Sequence, residues 1–113
     1  MKHYIRDYMT MLKVERNLAQ NSLESYERDL LQYHDFLESE LNIKSILNVT
    51  LGHIRSYLRT MNDKGLAANS VKRAVSSIRT YHNFLSAEGL MVDNPAQSVS
   101  YTHLRAHETR EDR

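Results

Sequence analysis

Apolar residues return at three- and four-residue intervals through four successive runs of this chain, and in no run do they alternate residue by residue. Spacing near 3.6 lays a buried stripe along a helix, whereas spacing of 2 lays one along a strand. The first run, Lys2 to about Glu15, offers Tyr4 or Ile5 with Tyr8, Met9, Met11 and Leu12. The second starts near Gln20 to Ser22, reaches about Leu41, and offers Leu23, Tyr26, Leu30, Tyr33 and Leu37. The third follows Thr50 with Leu51, Ile54, Tyr57, Leu58 and Met61, and the fourth carries Val71, Ala74, Val75, Ile78, Tyr81 and Leu85 before Gly89. With no Asn-Gly hairpin word and no evident internal repeat, the predicted fold is all-α, a compact bundle of four short helices.

The segments between these runs fit that reading. Arg16 to Ser22 supplies polar side chains of the kind that accept backbone N–H groups at a helix start, and Thr50 is a cap for the third helix. Gly65, just after Lys64, is the residue for a left-handed helix stop, while Gly52 is tolerable in a first turn. Asn42 to Val49 is a connection whose Ile43, Ile46 and Leu47 can plug the core. Asn94-Pro95 forces an extended backbone and marks the end of the ordered domain.

A chain of 113 residues holds one small core, and 41% hydrophobic with 26% charged residues is ordinary globular composition. Cysteine is absent, which excludes disulfide staples and thiolate metal sites. Lys2, Arg6 and Asp7 interrupt any signal-peptide core and no apolar run reaches membrane-spanning length, so the expectation is a cytoplasmic protein with no membrane contact.

Charge is distributed unevenly. The net charge is only +1, yet Lys64 to Ala87 contains four bases and not one acid. On the fourth helix Lys72, Ser76, Arg79 and Asn83 fall at i, i+4, i+7 and i+11, opposite the apolar stripe, with Arg73 and Thr80 beside them. A face that needed only solvation would mix signs to gain i, i+4 pairs. One carrying only bases and hydrogen-bonding groups suits a phosphate backbone.

Certain words in these helices belong together. The second contains Leu18-Ala19, then Ser22-Leu23-x-x-Tyr26-x-x-Asp29-Leu30-x-x-Tyr33-x-x-Phe36-Leu37. Thr50 follows with Ile54, Tyr57 and Leu58, then Ser70-x-x-Arg73-x-x-Ser76-x-Ile78-Arg79-x-Tyr81-x-x-Phe84-Leu85, and finally Asn94-Pro95-Ala96. In their order and separations over residues 2 to 97 these resemble the N-terminal core-binding, SAM-like domain of tyrosine recombinases of the phage-integrase and Xer type. Ala19 departs from the family's usual capping Ser, and Tyr33 and Tyr81 stand where Phe is commoner.

The resemblance implies a domain that sits on one side of double-stranded DNA while a separate C-terminal catalytic domain closes on the other. The second and fourth helices would lie toward the major groove. Carried over by position, Arg73, Ser76 and Arg79 would contact DNA from the fourth helix, and Ser22, Ser25 and Arg28 from the second. Lys72 and Asn83 join them from the helical-face argument alone. Most such contacts position the protein on phosphates. The first helix is a candidate surface for other recombinase protomers, with plain core packing the preferred alternative.

No catalytic, cofactor, small-molecule or metal site is expected within this stretch. Strand exchange in the family uses a nucleophilic tyrosine with arginines, a lysine and histidines from the C-terminal domain. Tyr4, Tyr8, Tyr26, Tyr33, Tyr57 and Tyr81 instead occupy apolar helix positions. His103 and Arg105 lack the spacing of the family's H-x-L-R-H word. His107 and Arg110 have it without the preceding half of a catalytic domain, and His103 with His107 has no third zinc ligand. From about Val99 the words V-S-Y-T-H-L-R-A-H-E-T resemble a translated sequencing-adaptor segment. The expected division is a DNA-binding domain over 1–97 and a non-native or disordered tail over 98–113, the whole being a recombinase truncated before its catalytic domain.

Two other classes compete with DNA binding. The same bundle could serve as a helical protein-interaction domain without nucleic acid, or as a small enzyme using the tail histidines. Salt separates the first from a phosphate-binding face, since only the latter weakens steeply as ionic strength rises.

Overall fold

Four helices form where the apolar periodicity places them. The structure is a computed structural model that describes residues 3–91 and 94–97, with α1 at His3–Glu15, α2 at Gln20–Ser39, α3 at Leu51–Asp63 and α4 at Ala68–Ala87. A short 3-10 turn, Ile46–Asn48, precedes α3. Both α2 and α4 pack against all the other helices, so they are the central pair, with α1 and α3 laid against them. Among the described residues no helix is long and apolar enough to cross a membrane.

Helix ends follow local chemistry. Thr50 Oγ1 accepts from the His53 N–H at 3.4 Å while His53 Nδ1 accepts from the Thr50 N–H at 3.0 Å, a reciprocal cap with histidine where Glu or Gln is usual. Gly65 and Gly89 both adopt φ of 77°, and the Leu66 and Leu90 N–H groups reach back to the Met61 and Leu85 carbonyls. This closure satisfies carbonyls that a helix end otherwise leaves bare. The second helix ends at Ser39 instead of Leu41, because Asn42 turns left-handed at φ 56° and the Ile43 N–H closes on the Leu37 carbonyl. Asn17, at φ 51°, turns the chain after α1 in the same way. Ala19 is the N-cap of α2 without a side-chain cap bond, the consequence of lacking a hydroxyl there.

The stripes converge on one core. Ile5, Tyr8 and Leu12 from α1 meet Leu30, Tyr33 and Leu37 from α2, Ile54 and Leu58 from α3, and Val71, Ile78, Tyr81 and Leu85 from α4. Ile46 plugs the gap between α2 and α3 as expected, with Leu47 and Ile43 only half-buried beside it. Ala96 is fully buried, so the chain after α4 folds back onto the bundle. Asn94 fastens this return, accepting from the Ala96 N–H at 3.1 Å and donating to Asn83.

The α2–α4 contact contains polar groups that periodicity does not reveal. Tyr33 Oη and His82 Nε2 are 2.8 Å apart, and Tyr81 Oη and His34 Nε2 are 2.9 Å apart, all four side chains being buried. Each tyrosine thus bonds the other helix's histidine. Against the expectation of no internal repeat, the word Tyr-His-x-Phe-Leu occurs twice, at 33–37 and 81–85, and marks this crossing in the letters. Tyr33 and Tyr81 are therefore not simple stand-ins for phenylalanine: their hydroxyls have dedicated partners, as buried hydroxyls require.

His82 is constrained on both nitrogens. Its Nδ1 lies 3.4 Å from the Met91 sulfur, which can only accept, so Nδ1 carries the proton and Nε2 accepts from the Tyr33 hydroxyl. Burial, then the charge of nearby His34, pushes the His82 pKa down to about 3. The folded state therefore refuses a proton that the unfolded chain takes below about pH 6.5. Stability is full above that value and is lost as pH falls toward 3, at up to about 1.4 kcal/mol per pH unit. Urea unfolding between pH 7 and pH 5 should show this decline, and His82→Gln should reduce its slope by close to one proton.

Candidate nucleic-acid interface

The side of α4 opposite its core stripe presents Lys72, Arg73, Ser76, Arg79 and Asn83, all exposed. No acid sits in the first turn of α2 or of α4. Contacts from Asp29 to Arg73, and from Tyr33 and His34 to His82 and Tyr81, advance together along both helices, so α2 and α4 run in the same direction. Ser22, Ser25 and Arg28 consequently lie at the same end of the pair as Lys72, Arg73 and Ser76. Ser22 and Arg28 are exposed and Ser25 is half-buried, with the exposed Glu24 and Glu27 between them, and Asp35, Glu38 and Glu40 lie exposed toward the other end of α2.

The expectation that this face is clear of carboxylates fails at Arg73. Its Nε donates to Asp29 Oδ2 at 2.8 Å and its Nη2 to Asp29 Oδ1 at 3.2 Å, a two-pronged pair from α4 to α2. Ser77 Oγ approaches Asp29 Oδ2 at 3.5 Å from below. The pair straddles the surface, for the Asp29 side chain is 7% exposed and that of Arg73 42%. The hydrogen bond and charge of Asp29 raise the Arg73 pKa further. Burial first, then the same carboxylate, lifts Tyr57 to about 12. Among the described residues no carboxylate pairs with Arg79.

Asn83 also has a structural task, since its amide oxygen accepts from Asn94 and holds the returning segment. Thr80, expected to flank the basic face, turns its hydroxyl to the Ser76 carbonyl and to Tyr8, tying α4 to α1. Sequence reasoning missed Asp29 as a member of this site. Its position in the motif was visible, but its partner lies 44 residues away in another helix.

Four of the tyrosines at apolar helix positions lie inside the bundle. Tyr8, Tyr33, Tyr57 and Tyr81 are buried, and burial raises the pKa of each. Among the described residues no three His, Cys, Asp or Glu side chains are grouped to hold a metal ion. His103, Arg105, His107 and Arg110, with the expected tail boundary at 98–113, lie outside the described residues.

A four-helix bundle with this surface defines a class, and sequence comparison identifies it. The family model described as "Phage integrase, N-terminal SAM-like domain" matches residues 5–89, so the chain belongs to that family. It is 38% identical over 95 residues to the tyrosine recombinase XerD of Halalkalibacterium halodurans, covering 84% of this chain and 32% of that protein. Similar matches are XerD of Rickettsia bellii, 35% identical with 85% and 31% covered, and XerC of Oceanobacillus iheyensis, 34% identical with 81% and 30% covered. The chain spans about a third of the length of these relatives. No solved structure matches it significantly.

The Arg73–Asp29 pair sets a test of stability. Arg73→Ala leaves a buried carboxylate without its cation, and should destabilise the fold by about 1–2 kcal/mol, below the cost for a fully buried pair because Arg73 is solvated on one side. Arg79→Ala should leave the urea midpoint in place.

Proposed function

We propose that this domain binds duplex DNA as the core-binding part of a site-specific tyrosine recombinase, itself performing no chemistry. The observation that carries the reading is the α4 surface of Lys72, Arg73, Ser76 and Arg79, drawn from the acid-free stretch Lys64 to Ala87. Ser22, Ser25 and Arg28 extend it across the start of α2, and Asn83 borders it while holding the exit segment. The relatives are named tyrosine recombinases, recombination is a reaction of DNA, and the match covers only about a third of their length. Catalysis is accordingly assigned to the part of such proteins that this chain does not match. A DNA partner of this kind belongs in the cytoplasm.

Other protomers of the full-length protein are the second partner class. Val14 is 74% exposed and Leu90 39%, and with Met11 and Phe84 they line a shallow cleft of about 370 Å³ beside α1. Asp7, Glu15 and Glu88 rim that cleft, which makes it unfit for DNA and leaves it open to protein.

Duplex binding followed by fluorescence anisotropy at low ionic strength tests the reading. Arg73 is kept in the test variant, because removing it also disturbs Asp29. Lys72→Gln with Arg79→Gln should weaken binding at least tenfold, keep the helical circular dichroism, and lower the log-log salt slope by about 0.9 for each phosphate no longer neutralised. Affinity unchanged in this variant, or binding indifferent to salt, would favour a protein-interaction domain.

A further inference from the structure

Asp29 lies directly beneath the surface that the proposed function assigns to phosphate, with a side chain only 7% exposed. Counted as a charge, a carboxylate there weakens the attraction of a polyanion. Counted as a hydrogen-bond acceptor, it does something else. It takes Nε and Nη2 of Arg73 side-on, at 2.8 and 3.2 Å, while Ser77 approaches the same carboxylate from within α4. A guanidinium has five N–H groups in one plane. Two are engaged by Asp29, and the outer edge, Nη1 with its two protons and the second proton of Nη2, is left on a side chain 42% exposed.

Arginine in solution has much rotamer freedom, and ordering it on a ligand lowers affinity. Here the ordering is done before the ligand arrives. The anchor is itself fixed, because Asp29 stands one turn before Tyr33, whose bond to His82 locks α2 against α4. The bundle therefore sets the plane of the Arg73 guanidinium through a carboxylate on a second helix.

We infer that Asp29 is a positioning residue for Arg73, holding the guanidinium so that its outer edge meets a DNA phosphate; the inference rests on the DNA-binding reading above. Its consequence is a reversal of sign. Asp29→Asn removes a negative charge near DNA and should nonetheless weaken duplex binding, by about three- to tenfold, because a charged two-pronged hold becomes a single neutral one. The log-log salt slope should fall by up to about 0.9, the share of one phosphate. In an Arg73→Gln background Asp29→Asn should cause no further loss.

The fold should tolerate Asp29→Asn, since asparagine keeps the shape and Arg73 can turn to water. Arg73→Lys provides a second, independent reading: it retains the charge but not the planar fork. It should bind duplex as weakly as Asp29→Asn, and full affinity in Arg73→Lys would overturn the proposal even if Asp29→Asn failed to fold. Tighter or unchanged binding by a folded Asp29→Asn would overturn it as well, leaving DNA binding by the domain intact. Absence of salt-sensitive binding by the unsubstituted chain at low ionic strength would overturn both.

Discussion

The crossing of α2 and α4 is the constraint on which the rest of the structure depends. Both helices bury a Tyr-His pair in the seam, and the reciprocal bonds Tyr33–His82 and Tyr81–His34 are satisfied in one register of the two helices only. Sliding either helix by a residue would leave two hydroxyls and two imidazoles buried without these bonds, each a loss of about 1–3 kcal/mol. An apolar seam of the same volume would tolerate such a slip more easily. The polar seam also sets what lies above it: with Tyr33 opposite His82, Asp29 one turn earlier falls under Arg73.

From that register the proposed DNA face follows in steps. The start of α2 is brought alongside the start of α4, which collects Ser22, Ser25 and Arg28 near Lys72, Arg73 and Ser76. Three acids that would oppose a polyanion, Asp35, Glu38 and Glu40, are carried toward the other end. Glu24 and Glu27 stay exposed beside Ser25 and Arg28, so the start of α2 carries mixed charge, whereas Asp29 is withdrawn below the surface and engaged by Arg73. Charge on this face is thus arranged by depth as well as by sign.

Much of the fold was readable in the letters because it depends on short-range rules. The four apolar stripes, the Thr50 cap, the left-handed Gly65 and the Ile46 plug each need information from a few neighbouring residues. What was not readable depends on tertiary register. Asn17 and Asn42 end their helices in a left-handed conformation that asparagine tolerates without requiring, so α2 stops two residues earlier than its apolar pattern suggests. Nothing in the periodicity separates His34 and His82 from surface histidines until the helices are set against each other. Arg73 looked unpaired because counting charges from Lys64 to Ala87 cannot detect an acid at position 29. The family resemblance supplied the architecture and pointed to the residues proposed to face DNA, and the Arg73–Asp29 pair joins two of the letters that carry that resemblance.

That a polyanion meets the outward side of α4 together with the first turns of α2 is the central claim. Chemical-shift mapping on the isotope-labelled chain, titrated with a short duplex at low ionic strength, tests it most directly. The largest shifts are expected at the backbone of Lys72, Arg73, Ser76 and Arg79 and at Ser22 to Arg28, with the Arg73 Nε–H resonance perturbed yet still slow to exchange with water because Asp29 holds it. Shifts concentrated on α3 or on the acidic cleft beside Val14, with α4 silent, would contradict it.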